Sequence, residues 1–391
     1  IIDSVECSSI KGGLDLFNSY ISRRTNLSHC KVLVISKALA STGISEYIYT
    51  LLNDVEMSAH ANVIISNSTA SEFLESSEQV LEDLASKYYE IAVNSSEYTG
   101  FTQNVTLIKF FSDYVDTFKE PVAILGGVNS GKYGSNQNSN SSNGSNGNNS
   151  TNNNNDENSN ENNDTSTTNT NDDKISSSRN FQDNENAKDS NQTVNKDSNY
   201  KAGETPITSK ANIENMGLAV FKEDRLVGEL TGIETIYHLI VSNSLKSCNI
   251  RIPNPLGDSE NLDINVKLAR NTQNNVNIVN GSPYISTKIH LEIQIISTTE
   301  QSSLKESSYY TKENTKLIEE TCNKYLSKQI SAYLYKTSKQ YNADIDGFGK
   351  HAVKYFLTLQ DWNKYNWLNS YEDSIFNVDI NSTLKSGYTF L

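Results

Sequence analysis

The sequence predicts an α+β protein, with an N-terminal α/β domain followed by a C-terminal region in which a mixed or antiparallel sheet is packed by one long and two shorter helices. Short apolar runs alternate with helical periodicity in the first third of the chain, which is typical of an α/β unit. Two later segments alternate apolar and polar residues, and a long amphipathic stretch follows them. These patterns divide the chain into an N-terminal domain (1–133), an insert (134–205), a small middle subdomain (206–261) and a C-terminal region (262–391).

Strands and helices alternate in the N-terminal domain. Residues 31–36 and 62–66 are continuous apolar runs typical of buried strands, and residues 122–125 are a third. Helices are predicted over 44–55, 71–87 and 101–118. A start signal at Ser41, Thr42 and Gly43 precedes the first of them. The residues predicted to face inward are Ile44, Tyr47, Ile48, Leu51, Leu52 and Val55 in the first helix, and Phe73, Leu74, Leu81 and Leu84 in the second.

The insert has a composition that does not support a core. Between Gly134 and Tyr200 only five residues are apolar, and roughly a third are Asn. Such a segment buries too little surface to offset the entropy of ordering its backbone, so we predict that it is disordered. It also carries a large share of the formal net charge of −14. No basic stripe with interleaved aromatic residues remains in the flanks, which argues against nucleic-acid binding, and a net acidic surface gains nothing from an anionic lipid layer.

The rest of the chain predicts a sheet with helices on it. Strands at 216–222 and 226–230 are joined by a tight turn, and a helix follows over 231–243. Alternating residues at 262–270 and 285–297 predict a half-solvated antiparallel sheet. The long helix, at 312–341, has one apolar stripe that we expect to pack on this sheet, with a groove for a partner helix as the alternative. Two shorter helical stretches, one with His351, Val353 and Phe356 and the next with Trp362 and Trp367, lead to a last strand at 374–386.

No pattern for catalysis or for metal binding is complete. Residues 126–132 have the glycine and lysine spacing of a phosphate-binding loop, but Tyr133 stands where the magnesium ligand Ser or Thr is needed. The five histidines are scattered, and the four cysteines have no metal-ligand spacing. We therefore predict no enzyme activity and no catalytic, cofactor-binding or metal-binding residue, and ligand-binding residues stay unassigned. The sequence has no apolar run of transmembrane length.

A loop rich in Asp and Gly follows the long helix, at residues 341–349. Gly347 and Gly349 flank Phe348, and two interpretations are open. The glycines expose backbone to a ligand, or they supply positive φ angles that end the helix while Phe348 fills the core. We favour the second and predict a structural motif made of Asp344, Gly347, Phe348, Gly349, Trp362 and Phe376.

This tail resembles the C-terminal region of the Ger(x)C family, the C subunits of spore germinant receptors. The resemblance rests on residues 341–349, on Trp362 and on residues 374–379. Residues 217–228 resemble the opening strand and turn of the same family region, and residues 29–35 with 43–45 resemble its N-terminal region. The chain departs from the family pattern at its end, where Lys385 precedes Ser386 and Gly387 in place of a basic edge before Thr-Gly.

The resemblance implies a non-catalytic lipoprotein on the outer face of the spore inner membrane, which acts with the integral-membrane A and B subunits in nutrient-triggered germination. It also implies an N-terminal lipid anchor and some tens of residues before Ile1, which would leave the N-terminal domain incomplete here. Cys7 follows Val5 and Glu6, which is a poor setting for a lipid acceptor. A stand-alone extracytoplasmic solute-binding lipoprotein is the alternative, and a nucleotide hydrolase that uses residues 126–132 is the least favoured.

Overall fold

A computed structural model describes residues 4–21, 24–76, 95–129, 194–207, 212–257, 260–297 and 309–385. These residues form an α+β fold, as predicted, and its two sheets are both mixed. One continuous hydrophobic core runs through both sheets and the helices packed on them. Because the core is shared, residues from distant parts of the chain meet between the sheets.

The first sheet has five strands in the order β1-β2-β3-β4-β5. The first three strands are parallel, and the last two are antiparallel to their neighbours. The middle strands of the parallel part are buried on both faces, which is why they appear in the sequence as continuous apolar runs. The strands are β1 (Val32–Ser36), β2 (Asn62–Ser66), β3 (Val122–Asn129), β4 (Asn212–Lys222) and β5 (Arg225–Leu230).

Six described helices accompany the N-terminal strands, and two predicted boundaries among them are wrong. The helix predicted over 44–55 ends at Leu52, and Val55 is 101% exposed in the turn that follows. The helix predicted over 101–118 covers only Leu107–Tyr114, because the Thr106 side chain caps it. The helices are Ile10–Tyr20, Lys37–Thr42, Ser45–Leu52, Ala70–Glu75, Ser96–Thr99 and Leu107–Tyr114.

Three other expectations for the N-terminal half concern a helix start, two core leucines and a phosphate-binding loop. Ser41, Thr42 and Gly43, expected to start a helix, instead end the short one before it. Leu81 and Leu84, predicted to face the core, lie outside the described residues. The first part of the suspected phosphate loop, 126–129, lies within strand β3, where a Cβ at Gly127 would collide with the backbone of Ala202. A strand in a sheet cannot wrap a phosphate, so this segment is not a phosphate-binding loop.

The segment predicted as a middle subdomain does not form a unit of its own. Strands β4 and β5 belong to the first sheet, whereas β6 (Cys248–Pro253), which the sequence did not predict, belongs to the second. Between them lies the central helix, Gly232–Val241, which starts in a capping box formed by Thr231 and Glu234. Nine of its ten residues are buried, and it contacts strands of both sheets. The central helix therefore joins the two halves of the core.

The second sheet has the order β6-β7-β8-β9 and is mixed. Strands β7 (Asn261–Val279) and β8 (Ser282–Ser297) form a long hairpin, and β9 (Ile375–Leu384) pairs parallel to β8. Parallel neighbours require a crossover connection, and the tail helices supply it. One face of the sheet packs on the long helix and the other carries the polar residues of the predicted alternation.

The long helix covers Lys312–Tyr335 and continues as a π-helical turn over Lys336–Tyr341. Its predicted stripe packs into the core, and the buried members are Ile318, Cys322, Tyr325, Leu326, Ile330, Tyr333 and Leu334. Asn342, with a φ of 47°, ends it, not Gly347 or Gly349. Short helical segments follow at Gly349–Ala352, Val353–Tyr355, Leu359–Tyr365, Trp367–Ser370 and Tyr371–Asp373, so each of the two predicted short helices is divided.

The end of the predicted insert is part of the fold. Asn195, which is buried, donates from its amide nitrogen to the Arg251 carbonyl (3.0 Å) and the Tyr325 hydroxyl (2.9 Å), and accepts from the Arg251 backbone (2.8 Å). A 3-10 turn at Lys196–Ser198 follows. Residues 194–205 were thus wrongly assigned to the insert. The disorder predicted for the preceding residues falls outside the described part of the chain.

Candidate functional site: a buried carboxylate joint

The Asp344 loop, residues 342–349, is held by a single buried carboxylate. Asp344 Oδ1 accepts from the backbone N–H groups of Gly347 (2.8 Å) and Phe348 (3.1 Å). Oδ2 accepts from the Gly349 N–H (3.0 Å) and from Trp367 Nε1 (2.8 Å). Four donors converge on one side chain that is fully buried, so the loop is a rigid turn and does not leave its backbone free for a ligand.

Burial and hydrogen bonding shift the pKa of the Asp344 carboxyl group in opposite directions. Loss of solvent raises the pKa of Asp344 to about 7, and the charge of nearby Asp346 adds to the rise. The hydrogen bonds from Trp367 and the loop backbone lower the pKa and limit the shift. Asp344 therefore titrates close to neutral pH, although it lies where solvent does not reach.

A second buried carboxyl group, that of Glu120, lies next to the Asp344 loop. The Glu120 N–H donates to the Asp344 carbonyl at 2.8 Å. Glu120 Oε2 accepts from the backbone N–H of Glu223 (2.7 Å), which has a φ of 56° in the turn between β4 and β5. Oε1 is buried without a hydrogen-bond partner, and burial raises the pKa of Glu120 to about 7. Glu120 thus links two parts of the chain, because its side chain contacts the β4–β5 turn and its backbone contacts the Asp344 loop.

Segment 116–120, just before β3, packs directly on the tail. Trp362 Nε1 donates to Thr117 Oγ1 (3.2 Å), and the rings of Phe118 and Trp362 lie 5.2 Å apart. A Cβ at Gly349 would lie 2.5 Å from the Phe118 carbonyl oxygen, so only glycine allows this close approach. We call segment 116–120, the Asp344 loop, Trp362 and Trp367 together the carboxylate joint, because they connect the N-terminal sheet to the C-terminal region.

A buried triad of His238, Asp346 and Tyr333 lies beside the joint. His238 Nδ1 is 2.9 Å from Asp346 Oδ1, and the Tyr333 hydroxyl donates to Asp346 Oδ2 at 2.9 Å. The side chains of His238 and Asp346 are fully buried, and His238 Nε2 has no hydrogen-bond partner. An Asp–His pair serves catalysis only where a nucleophile or a substrate reaches the imidazole. Here the pair ties the central helix and the long helix to the Asp344 loop.

The structure brings the six residues of the predicted structural motif into one cluster. Asp344 binds the backbone of Gly347, Phe348 and Gly349, and the Phe348 ring lies 6.2 Å from that of Phe376. Trp362 joins the cluster through Trp367, whose ring stacks on it at 6.1 Å. Glu120, His238 and the bond from Trp367 to Asp344 were missed. The apolar residues on either side of Asp344, Ala343 and Ile345, were a signal in the sequence that this segment enters the core, and both are buried.

The cavities described at the surface are open and small. They include cavities of about 290, 470 and 300 Å³, in the lower part of the range for small-molecule pockets. In the third, Lys336 Nζ lies 2.6 and 2.7 Å from the two carboxylate oxygens of Glu234, so its charges already neutralise each other. The described part of the chain has no group of three or more His, Cys, Asp or Glu able to hold a metal ion.

Comparison with known proteins gives the family. The family model "Spore germination B3/GerAC like, C-terminal" matches residues 216–387, and "Spore germination protein N-terminal domain" matches residues 1–126. A crystal structure described as that of the GerBC protein is 12% identical, with a TM-score of 0.50 over 95% of this chain and 83% of the other, which supports the fold alone. No curated protein matches the chain. No described helix is long and apolar enough to cross a membrane. Because the two family models cover most of the sequence, the chain belongs to the GerAC-like family of spore germination proteins, as the Ger(x)C resemblance predicted.

Proposed function

We propose that this protein is a non-catalytic subunit of a spore germinant receptor. It acts with integral-membrane A and B subunits at the outer face of the spore inner membrane, where a lipid anchor N-terminal to the present sequence holds it. The observation that carries this proposal is that the regions matching the two family models are joined into one core at the carboxylate joint. We therefore place the role of this subunit in contacts with its partner proteins, which need no reactive group.

The placement of the titratable groups supports the absence of catalysis. Asp344 and Glu120, whose pKa values are raised by burial, are buried within the core, and so are the side chains of the His238–Asp346 pair. Their hydrogen bonds go to backbone turns and to neighbouring helices. Perturbed groups at an active site usually line a cleft that substrate can enter. These groups line none of the three cavities described above.

Affinity purification from spores tests the proposal. The full-length protein with a C-terminal tag is purified from detergent-solubilised spore inner membranes, and the recovered proteins are identified by mass spectrometry. We expect the A and B subunits of one receptor to copurify in similar amounts. A tagged, unrelated lipoprotein from the same membranes is the control. If the A and B subunits are absent, or equally abundant with the control, the proposal is wrong.

The cavity between the central helix and the long helix favours a second candidate, a solute-binding lipoprotein. Lys201 and Glu204 line this cavity beside the Glu234–Lys336 ion pair, so it offers both charges to a small zwitterionic solute that displaces this pair. Calorimetric titration of the isolated chain with amino acids and sugars separates the two functions. Tight binding that Lys336→Met abolishes would favour the solute-binding protein, whereas no heat of binding favours the receptor subunit.

A further inference from the structure

Two leucines protrude from the tail of the protein. Leu357 is 98% exposed and Leu359 is 70% exposed, and they are the two most exposed leucines of the described residues. They lie in the bend between the 3-10 turn Val353–Tyr355 and the helix Leu359–Tyr365. Single exposed leucines are common on protein surfaces, but two that protrude together from one bend are not.

The backbone under these leucines is firmly held. Phe356 points inward and packs on Trp362 (5.4 Å between ring centroids) and on Tyr365 (4.9 Å). The Tyr365 hydroxyl donates to the Gly281 carbonyl (2.9 Å) at the end of the β7–β8 hairpin, and Lys354 Nζ donates to Asn275 Oδ1 (2.8 Å). The exposed leucines are thus presented by an anchored bend, which we call the leucine tip (residues 355–359).

More exposed apolar side chains lie at the same end of the second sheet. The hydroxyl of Tyr355, itself an exposed residue, donates to Asn277, which is paired with Tyr284 across the hairpin. Tyr284 is paired in turn with Ile375 on β9, and both are exposed. Tyrosines with an apolar ring and a polar hydroxyl are enriched where a bilayer meets water. The leucine tip is therefore the most apolar part of a surface that extends onto the hairpin.

The charge around the leucine tip is opposite in sign to that of the whole protein. Residues 349–366 contain three lysines, Lys350, Lys354 and Lys364, against a single acidic residue, Asp361, in a chain of net charge −14. Asp361 accepts from the Thr358 hydroxyl at the helix start, and Asp116 lies 3.8 Å from Lys350. Lys354 and Lys364 remain exposed beside the leucines.

We propose that the leucine tip inserts into the interfacial layer of an anionic lipid bilayer, with the lysines on the phosphate groups. Leucines flanked by lysines are the composition of surfaces that lie in the bilayer interface, whereas lysine is depleted in the cores of protein–protein interfaces. Each lysine near an anionic membrane adds to the attraction within a Debye length, where the acidic remainder of the protein has little effect. This contact is made by the folded chain itself and is independent of a lipid anchor.

Flotation with protein-free vesicles tests the inference. The full chain without a lipid group is mixed with two kinds of vesicle at low millimolar lipid. One is made of phosphatidylcholine alone, and the other contains about a third of the anionic lipid phosphatidylglycerol. We expect it to float with the anionic vesicles. The double substitution Leu357→Ser/Leu359→Ser is expected to weaken partitioning at least about tenfold, because two leucine side chains lose their burial in the acyl boundary. Lys354→Glu/Lys364→Glu is expected to reduce binding to the anionic vesicles only.

Val55→Ser is the matched control, because Val55 is as exposed as Leu357 but belongs to the N-terminal half. It is expected to float like the unchanged protein. All variants are expected to stay within a few degrees of its melting temperature, since every substituted side chain is exposed and the one hydrogen bond that is lost, from Lys354 to Asn275, lies at the surface. Absence of flotation, or equal flotation of the double leucine variant, overturns the inference. So does a dimer in sedimentation velocity that the leucine substitutions dissociate, because the tip would then bind a second copy of the chain.

Discussion

Replacement of Glu120 by Gln isolates the effect of one buried carboxyl group on stability. Glutamine keeps the shape of the side chain and an oxygen that accepts from the Glu223 N–H, but it cannot ionise. Burial raises the pKa of Glu120 from 4.5 to about 7 in the folded protein, whereas the unfolded chain has the ordinary value. Between these two values the folded state binds the proton and the unfolded state does not. The stability contributed by this group is therefore largest below about pH 4.5 and falls as the pH rises to about 7.

The size of the effect follows from the shift. One pKa unit corresponds to about 1.4 kcal/mol, so a rise from 4.5 to about 7 lowers stability above pH 7 by up to roughly 3 kcal/mol. The Glu120→Gln protein does not lose this stability. In this variant the amide NH2 group takes the position of Oε1, which has no hydrogen-bond partner. The unsatisfied NH2 donor costs about 1 kcal/mol or more and offsets part of the stability gained at high pH. We expect Glu120→Gln to be more stable than the unchanged protein by about 1–2 kcal/mol at pH 8, and equal or slightly less stable at pH 5.

Urea unfolding at half-unit intervals from pH 5 to pH 8 measures this difference. The control is Glu320→Gln, an exposed side chain on the long helix that lies 3.6 Å from Lys316, for which we expect no pH-dependent difference. Asp344 titrates in the same range and its charge contributes to the raised pKa of Glu120, so the difference reports on Glu120 together with its coupling to Asp344. If the stability difference between Glu120→Gln and the unchanged protein is constant from pH 5 to pH 8, Glu120 does not hold its proton and the reasoning is refuted.

Three further changes test the joint and the insert. Asp344→Asn places an amide donor against the N–H groups that the carboxylate binds. We expect the free energy of unfolding, measured in urea, to fall by about 2–4 kcal/mol. An unchanged midpoint would mean that other contacts hold the loop. Gly349→Ala forces a Cβ against the Phe118 carbonyl, and we expect a melting temperature lower by several degrees, about 1–3 kcal/mol, while no change would contradict the close approach. Replacement of residues 134–193 by a short Gly/Ser linker is expected to leave the melting temperature nearly unchanged. Replacement of residues 134–200 also removes Asn195 and is expected to lower the melting temperature. Equal melting temperatures of the two variants would show that the Asn195 contacts contribute nothing to stability.

The elements that were predicted best from the sequence are those whose burial produces a recognisable pattern of apolar residues over a few neighbouring positions. The apolar runs of β1 and β2 correspond to strands within a residue, because the central residues of both strands are apolar, as is typical of parallel strands. Most of β2 is buried, whereas β1 lies at the edge of the sheet and is mainly half-buried. Helix ends were less predictable. Val55 continues the apolar spacing of its helix, but Asp54 accepts from the Glu56 N–H and stabilises a turn instead. Periodicity cannot distinguish the two, because it does not include the hydrogen bonds that a side chain makes with its own backbone.

The candidate site could be predicted in part for a similar reason. The composition of residues 342–349 indicates a turn, and the spacing of Gly347, Phe348 and Gly349 indicates packing. The partners of Asp344 could not be predicted, because Trp367 lies 23 positions along the chain and Glu120 lies in the other half. A hydrogen bond between such positions depends on how the two sheets meet around the central helix. No window of sequence contains that information.

The carboxylate joint also explains what the tail motif can and cannot indicate about function. Its residues serve to close a buried turn against segment 116–120, so their presence in a sequence identifies a protein in which the two family regions are packed together. Side chains that are buried in this way cannot contact a germinant or a partner subunit. Whatever distinguishes this protein from its relatives in partner or ligand must therefore lie on exposed surfaces, such as the leucine tip. Substitutions at those surfaces should alter binding at constant stability, whereas substitutions at the joint should alter binding only as far as they unfold the protein.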